Sequence, residues 1–524
     1  MSASHPPGMG RARPRAKISY DTIVVGGGPA GAVMAWSLAT RGLRVLVLDR
    51  ARFPREKVCG DFVEPRGLRL FQTMGCLTNL EAAKPLAITH VNLFLSGKSA
   101  YREHIPFYAG QTDLPQHGYI IPREELDEQI LLSAVAAGAE LRQGCQVSAA
   151  ERTAEGMTVR YRDGSVDATV TAPIVVGADG THSVVARSFD LLVDDPRYMA
   201  ISQRAYVEGV DLTTGEAAFV FDGDLFPGYG WMFPMKNGRA NVGVGILAET
   251  RDRYRISVPK LFATFLQKLQ RLHPGCASMR LASKPIGGIV KTYGGSGRKH
   301  FDGGLLIGDA GSFVDPMTGE GITPAAESAL LGATAIADAL NRGRTDAAAL
   351  SSYERNARAY FDPAMCYLDF VACIMRNRHF GDFWLGVVAR GCGMAMRDSS
   401  FARSSGAAFG GLDVRPLDIV SRMWAKAGGQ FTADSGRLAT EIAQGRFTAI
   451  PGMMDMGRWY GGWWGSLADD PKWHAQWMAD VMRKWVGLAR TVRLRDPRAQ
   501  GPAHLRLTPA PVAPAARSTA RASG

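Results

Sequence analysis

Cysteine is sparse in this chain: seven residues in 524, at positions 59, 76, 145, 276, 366, 373 and 392. Odd in number and scattered, they argue for a reducing cytosol rather than a disulfide framework, and no pair has the spacing of a zinc site. No stretch offers the roughly 18 uninterrupted apolar residues of a membrane-spanning helix. The first residues, MSASHPPGMGRARPRAK, lack the apolar core of a secretory leader, so none is expected. Excess charge of either sign is missing from the body of the chain. The net +12 resides at the ends: residues 1–19 hold four basic residues and no acid, and 487–524 hold seven arginines against Asp496 alone. Between them stand 50 basic and 48 acidic residues, so nucleic-acid binding is not expected. Both ends are rich in Pro, Ala, Ser or Gly and read as disordered basic tails. The length implies two or three structural units, and 46% hydrophobic with 21% charged residues is the make-up of a folded globular protein.

What is present centres on Tyr20 to Arg50, YDTIVVGGGPAGAVMAWSLATRGLRVLVLDR. Ile23 to Val25 form a short apolar run, as a buried parallel strand would. Gly26, Gly28 and Gly31 complete a G-x-G-x-x-G, and Pro29 to Arg41 continue as a helix. Gly26 permits the tight turn, Gly28 lets a pyrophosphate approach the backbone, and Gly31 lets helix and strand pack closely. The helix N-terminus adds free N–H groups and partial positive charge. A second strand, Leu43 to Leu48, ends in Asp49, placed for a ribose hydroxyl. A lone glycine fingerprint is weak, but here all parts of the βαβ unit follow in order. The stretch is read as a dinucleotide site.

Downstream, a loop holds Lys57, Cys59, Gly60 and Asp61, and Glu64 to Met74 reads as an amphipathic helix. Lys57 is placed to lower the pKa of Cys59, although free cysteines usually just fill space. A mixed segment follows to about 118, then a helix from Ile121 to Ala137 and a hairpin signal at Asp163-Gly164. APIVVGADGTHSVVAR reads as a buried strand, Ile174 to Val176, a turn, and a short helix holding Ser183 and Arg187. From about 195 to 298 the pattern alternates, as in an antiparallel sheet. Within it Tyr229, Trp231 and Phe233 share one strand face, and a turn at Asn237-Gly238 returns the partner strand from Asn241. Three aromatics on one face fit core packing, or, beside a flavin, the wall of an apolar substrate cavity. GGLLIGDAG then resumes the dinucleotide pattern, with Asp309 at a strand end. Gly294 to Gly297 is followed by Arg-Lys-His rather than a helix start, so no second glycine fingerprint exists.

These residues carry a family resemblance over about 20 to 345. The glycine fingerprint, VVGADG and LLIGDA, in that order, resemble the flavin-dependent oxidoreductases of the para-hydroxybenzoate hydroxylase fold. KVCGD at Lys57 to Asp61, and Tyr229-Gly230-Trp231-Met232-Phe233-Pro234 as a Y-x-W-x-F-P motif, are similar to the geranylgeranyl reductase family among them. The related W-x-W-x-I-P of flavin halogenases agrees only at Trp231 and Pro234. Phe62, Val63 and Glu64 depart from the small residues many prenyl reductases carry after the cysteine. The resemblance implies non-covalent FAD, with Gly26, Gly28, Ala30, Gly31 and Asp49 on its ADP half and Arg123 along the pyrophosphate and ribityl chain. It places Asp179 and Gly180 near the pyrophosphate, Asp309 on the ribityl hydroxyls, Gly319 to Gly321 beside the isoalloxazine, and Cys59 near the ring as a candidate proton relay.

The expected architecture is α/β: a Rossmann-like FAD-binding domain (20–194 and 299–345), an inserted antiparallel-sheet substrate domain (195–298) and a helical C-terminal region (346–486). Tails at 1–19 and 487–524 flank it. The expected activity is reduction of C=C bonds in an isoprenoid chain or prenylated lipid or quinone. An aromatic monooxygenase or halogenase is the alternative, and a non-catalytic flavoprotein is disfavoured by the full motif set. NAD(P)H or a reduced electron carrier, a ferredoxin or flavin reductase, would serve as transient donor. Trp473, Trp477, Met478, Val481, Met482 and Trp485 form one helical stripe, with Lys472, His474, Gln476, Asp480, Arg483 and Lys484 opposite. Such a stripe packs on its own protein or, with the basic tail, rests on a membrane; the expected location is the cytoplasm, peripheral to the membrane.

Overall fold

The apolar run after Tyr20 folds as the strand Thr22–Val25, buried on both faces at the middle of a six-stranded sheet. Its neighbours are Val45–Asp49 and Ile174–Gly177, flanked by Glu140–Gln143 on one side and Gly304–Leu306 and His300–Phe301 on the other. Every pairing is parallel except the last, the arrangement that puts ligands at the carboxyl ends of the strands. Alternate residues serve two layers. Val24, Val45 and Val47 pack under the helices, among them Pro29–Ala39, Arg123–Ala136 and Ile322–Asn341. Ile23, Val25, Leu46 and Leu48 pack against the three-stranded sheet of Cys145–Thr153, Gly156–Asp163 and Val166–Ala172. The computed structural model describes residues 20–105, 114–211, 215–295, 297–399, 436, 440–441, 443–444 and 450–493.

A second, larger sheet runs in the order Arg280–Leu281, Met199–Glu208, Arg239–Leu247, Tyr229–Met235, Glu216–Phe221, His90–Leu95, Lys98–His104, with Ile286–Lys291 also on Met199–Glu208. It is antiparallel save for the parallel pair Glu216–Phe221 and His90–Leu95. This sheet is therefore not confined to 195–298. Two strands from the mixed segment complete it: His90–Leu95 pairs with Glu216–Phe221, more than a hundred residues downstream, where local alternation carries no information about pairing, and it brings Lys98–His104 along as its hairpin partner. Its back is covered by the helix Val258–Leu272, whose Phe262 and Phe265 meet Met232, Val242 and Val244. The hairpin before Arg239 turns at Asn237 (φ 62°) and Gly238 (φ 65°), residue types that tolerate left-handed backbone.

The C-terminal part is helical among the described residues: Ala347–Met375, with Pro363 inside it, Gly381–Ala395, Ile450–Asp469 and Pro471–Arg493. The last includes 487–493, so that part of the expected tail is helix; 494–524, like 1–19, lie outside the described residues. This helix packs on Ala347–Met375 by part of the expected stripe, Trp477 and Val481 among it, joined by residues of the expected polar face. Trp477 is buried, 5% exposed, and donates its indole N–H to the Cys373 carbonyl at 2.8 Å. Beside it lie His474 and Asp480, both buried, although the sequence pattern assigns them to the polar face. Met482 and Trp485 are 53% and 47% exposed. Apolar periodicity misplaces the seam because ion pairs are buried in it. Arg376 reaches Glu249 (2.7 Å) and Asp480 (3.3 Å), and Lys484 pairs with Asp369. Trp477→Glu should therefore cost about 3–5 kcal/mol or more, a lost aromatic plus an unpaired buried charge, seen as a lower midpoint in thermal and urea unfolding.

Candidate active site

The glycine loop is built by contact. A Cβ on Gly31 would lie 1.8 Å from the Gly26 carbonyl oxygen, and one on Gly26 (φ +104°) 2.3 Å from that of Ala178. Helix and strand touch there. Gly28 is different: its backbone is extended, and a Cβ would meet only Arg55 Nη2, at 3.3 Å. It is the N-cap of Pro29–Ala39 with no side chain to cap the first turn, and Ala30 follows it along the rim. The loop thus offers free N–H groups around a hollow that a side chain would fill, which fits a pyrophosphate. Asp49 ends its strand as expected and braces the loop, accepting from Gly27 N (2.6 Å) and Ala51 N (2.7 Å). Its remaining lone pairs are those available to a ribose hydroxyl.

Arg123 borders the same cleft, but its guanidinium forks onto the fully buried Asp127 at 2.7 Å twice. Arg55 shares that carboxylate at 3.0 Å and stands nearer Gly28. It is the cation best placed for a phosphate, and its sole sequence signal was its position four residues before Cys59. Asp179 borders the cleft, and its carboxylate accepts from Ser183 Oγ (2.5 Å) and Val184 N (2.6 Å), capping Val184–Ser188. Gly180 (φ +80°) and Gly319 (φ +71°) make turns that a side chain would strain, and Gly319, Gly321 and Asp309 line one end of the cleft together. Asp309 pairs with Lys57 at 3.3 Å. Lys57 is thus engaged away from Cys59, and the expected lowering of the thiol pKa does not occur: burial pushes it up. Below the turn, Arg66 holds Glu64 (3.0 Å) and Glu327 (3.4 Å), with burial raising both carboxyls, Glu64 to about 7. Glu64, which broke the small-residue pattern, is the N-cap of Pro65–Thr73.

The cleft, about 850 Å³, continues from the glycine loop to the face of the second sheet. Cross-strand registry arranges that face in rows: Ser202–Gly245–Tyr229, Arg204–Gly243–Trp231 and Tyr206–Asn241–Phe233. Gly243 is needed, since a Cβ there would lie 2.2 Å from the Trp231 ring. Tyr229, Trp231 and Phe233 all border the cavity, joined by Phe62 and Phe219, while Gly230 and Met232 point to the opposite core. The Tyr229 hydroxyl donates to the Thr318 carbonyl, tying this wall to the Gly319–Gly321 turn.

Asn241 is the joint between wall and loop. Its Oδ1 accepts from Trp231 Nε1 (3.0 Å), and its Nδ2 donates to the Cys59 carbonyl (2.9 Å) and Asp61 Oδ2 (2.8 Å). Tyr206 donates its hydroxyl to the same Oδ2 at 2.6 Å. Asp61 is fully buried with a left-handed backbone (φ 64°), and burial pushes its carboxyl up to about 6. Tyr206, Arg204 and Asn241 escaped the sequence reading as site residues because only strand registry brings them there.

Residues 19–366 match the family described as FAD binding domain, two thirds of the chain. The chain belongs to that family. It is an FAD-dependent oxidoreductase, in the geranylgeranyl reductase-like group. A menaquinone reductase of Mycolicibacterium smegmatis is 32% identical over 324 residues, 60% of this chain and 75% of that one. A digeranylgeranylglycerophospholipid reductase of Methanopyrus kandleri is 29% identical over 343 residues, 64% and 82%. A solved flavin-dependent brominase shares the fold, with a TM-score of 0.63 at 19% identity over 78% of this chain and 99% of that one. In this FAD-dependent oxidoreductase the glycine hollow, with Arg55 and Arg123 at the same cleft, fits the dinucleotide. No helix among the described residues is long and apolar enough to cross a membrane.

Proposed function

We propose that this oxidoreductase reduces C=C double bonds in the isoprenoid chain of a lipid or quinone. The observation that carries the reading is an aromatic wall, Tyr229, Trp231 and Phe233, opening into the cleft that the glycine loop begins. The names of its relatives, reductases of menaquinone and of a digeranylgeranyl lipid, support the same substrate class. FAD, when bound and reduced, supplies hydride. The protein's own residues supply the rest. Gly26, Gly28, Ala30, Gly31 and Asp49, with Arg55, would hold the adenine dinucleotide; Asp179 and Gly180 would serve its pyrophosphate; Asp309, Gly319 and Gly321 would serve its flavin end; and Arg123 holds the cleft wall through Asp127. The aromatics strip water from the chain and fix which double bond faces the ring. Cys59 borders the same cavity as a neutral thiol, within reach of Arg123. The electron donor is NAD(P)H bound transiently or a reduced carrier, in keeping with the lack of a second glycine fingerprint.

The brominase fold keeps an oxygen-using reaction as the competing reading, since fold alone does not fix chemistry. Reduced enzyme mixed with a polyprenyl substrate in air-saturated buffer should form hydrogenated product with no oxygen atom added. Hydroxylated or halogenated product would establish the competitor. Peripheral membrane contact forms part of the proposal and rests on Met482, Trp485 and Val486, exposed on the outer side of the last helix. Met482→Glu should reduce pelleting with anionic liposomes and leave the unfolding midpoint unchanged.

A further inference from the structure

Hydride alone cannot reduce an isolated alkene; a proton must reach the second carbon, and the cavity is walled mostly by carbon. Among the polar groups that line it, Asp61 stands apart. Its Oδ2 is held by Tyr206 and Asn241, its Oδ1 has no hydrogen-bond partner, and the residue is 0% exposed. It follows Gly60, whose Cβ position lies 3.0 Å from the Phe233 ring and 3.5 Å from Trp231 Nε1, so it sits against the aromatic wall. The left-handed backbone at Asp61 costs energy for a non-glycine residue, yet it turns this carboxyl into the network.

We propose that Asp61 is the acid that protonates the alkene, with Tyr206 and Asn241 as positioning residues; this rests on the reductase reading above. The Asp61 O–H bond and the C=C π bond break and two C–H bonds form, one from the Asp61 proton and one from the hydride of reduced FAD, which is left oxidised. The carboxylate that remains is stabilised by the Tyr206 hydroxyl and the Asn241 amide, and takes its next proton from water by way of Tyr206, which is partly exposed. The charged and titratable groups facing Asp61 are Tyr206 and Arg204 on Met199–Glu208, Arg123 on its helix and Cys59 on its own loop. The two arginines and the hydrogen bonds favour the ionised form, and burial outweighs them, raising the carboxyl to about 6. The Cys59 thiol, raised from an already higher value, is the poorer acid.

Asp61→Asn should bind FAD and accept dithionite electrons as wild type does, yet reoxidise with a polyprenyl substrate about 10²–10⁴-fold more slowly, with Asp61→Glu restoring part of the rate. Wild-type reoxidation should be constant below pH of about 6 and fall above it, because the acid form is the active one. Tyr206→Phe removes a bond that favours the carboxylate and should move that fall to higher pH, which a merely structural role would not do. Without flavin or substrate, the wild-type minus Asp61→Asn infrared difference should show one protonated-carboxyl C=O band that titrates near pH of about 6, the bands of Glu64 and the other buried carboxyls cancelling because both proteins carry them. An Asp61→Asn enzyme at wild-type rate, or no such band, overturns the assignment and leaves the reductase reading standing. Wild-type enzyme that reduces no prenyl alkene overturns both.

Discussion

Gly28→Val is expected to give a folded, colourless protein. A Cβ at this position meets no backbone and only the end of the Arg55 side chain, so the apo-protein should keep its unfolding midpoint. The branched side chain would nevertheless fill the hollow in front of the helix N-terminus, where a pyrophosphate would receive its N–H groups. FAD content after purification and reconstitution should fall to background. Gly31→Val makes the contrast: with 1.8 Å to the Gly26 carbonyl, the βαβ unit itself must open, and both fold and flavin are expected to go. A Gly28→Val protein carrying a full complement of FAD would refute the placing of the dinucleotide.

Trp231→Ala carries the second large effect, and here two costs combine. The ring is 7% exposed and lies across Gly243, so its removal should cost about 3–5 kcal/mol. It also leaves Asn241 Oδ1 without its indole donor, loosening the amide that holds the Cys59 carbonyl and Asp61. A misplaced reacting group costs on the order of 10²-fold in rate. The variant should therefore be less stable, still yellow, and at least about 10²-fold slower with a prenyl substrate. If fold and flavin are lost together, Trp231 is simply core, and the aromatic face has no separate part in the reaction.

The first βαβ unit was legible because each of its parts, strand, glycines, helix and terminal Asp49, is set by neighbours within thirty residues. The aromatic face was legible too, since alternation alone puts Tyr229, Trp231 and Phe233 on one side of a strand. What stayed hidden depends on distant pairing. Asn241 and Tyr206 become site residues only when Met199–Glu208 and Arg239–Leu247 lie in register, and no local pattern states that register. The place of His90–Leu95 in the second sheet was hidden for the same reason, and with it that of its hairpin partner Lys98–His104. The last helix was misread differently: Asp480 and Lys484 look like a solvent face until Arg376 and Asp369 arrive from another helix to pair with them. Arg123 borders the cleft as expected, and its pairing with Asp127, one helical turn away, is a detail that the resemblance did not include.

The measurement that bears most directly on the proposed reaction is anaerobic. Enzyme reduced with one equivalent of dithionite would be mixed, without oxygen, with a panel of polyprenyl lipids and quinones, the flavin followed by absorbance and the product by mass. Reoxidation by a prenylated substrate, with product gaining two hydrogens for each double bond reduced, is the result expected of the aromatic cavity and its relatives. Flavin that stays reduced until air is admitted, then yields an oxygenated or halogenated product, would contradict it.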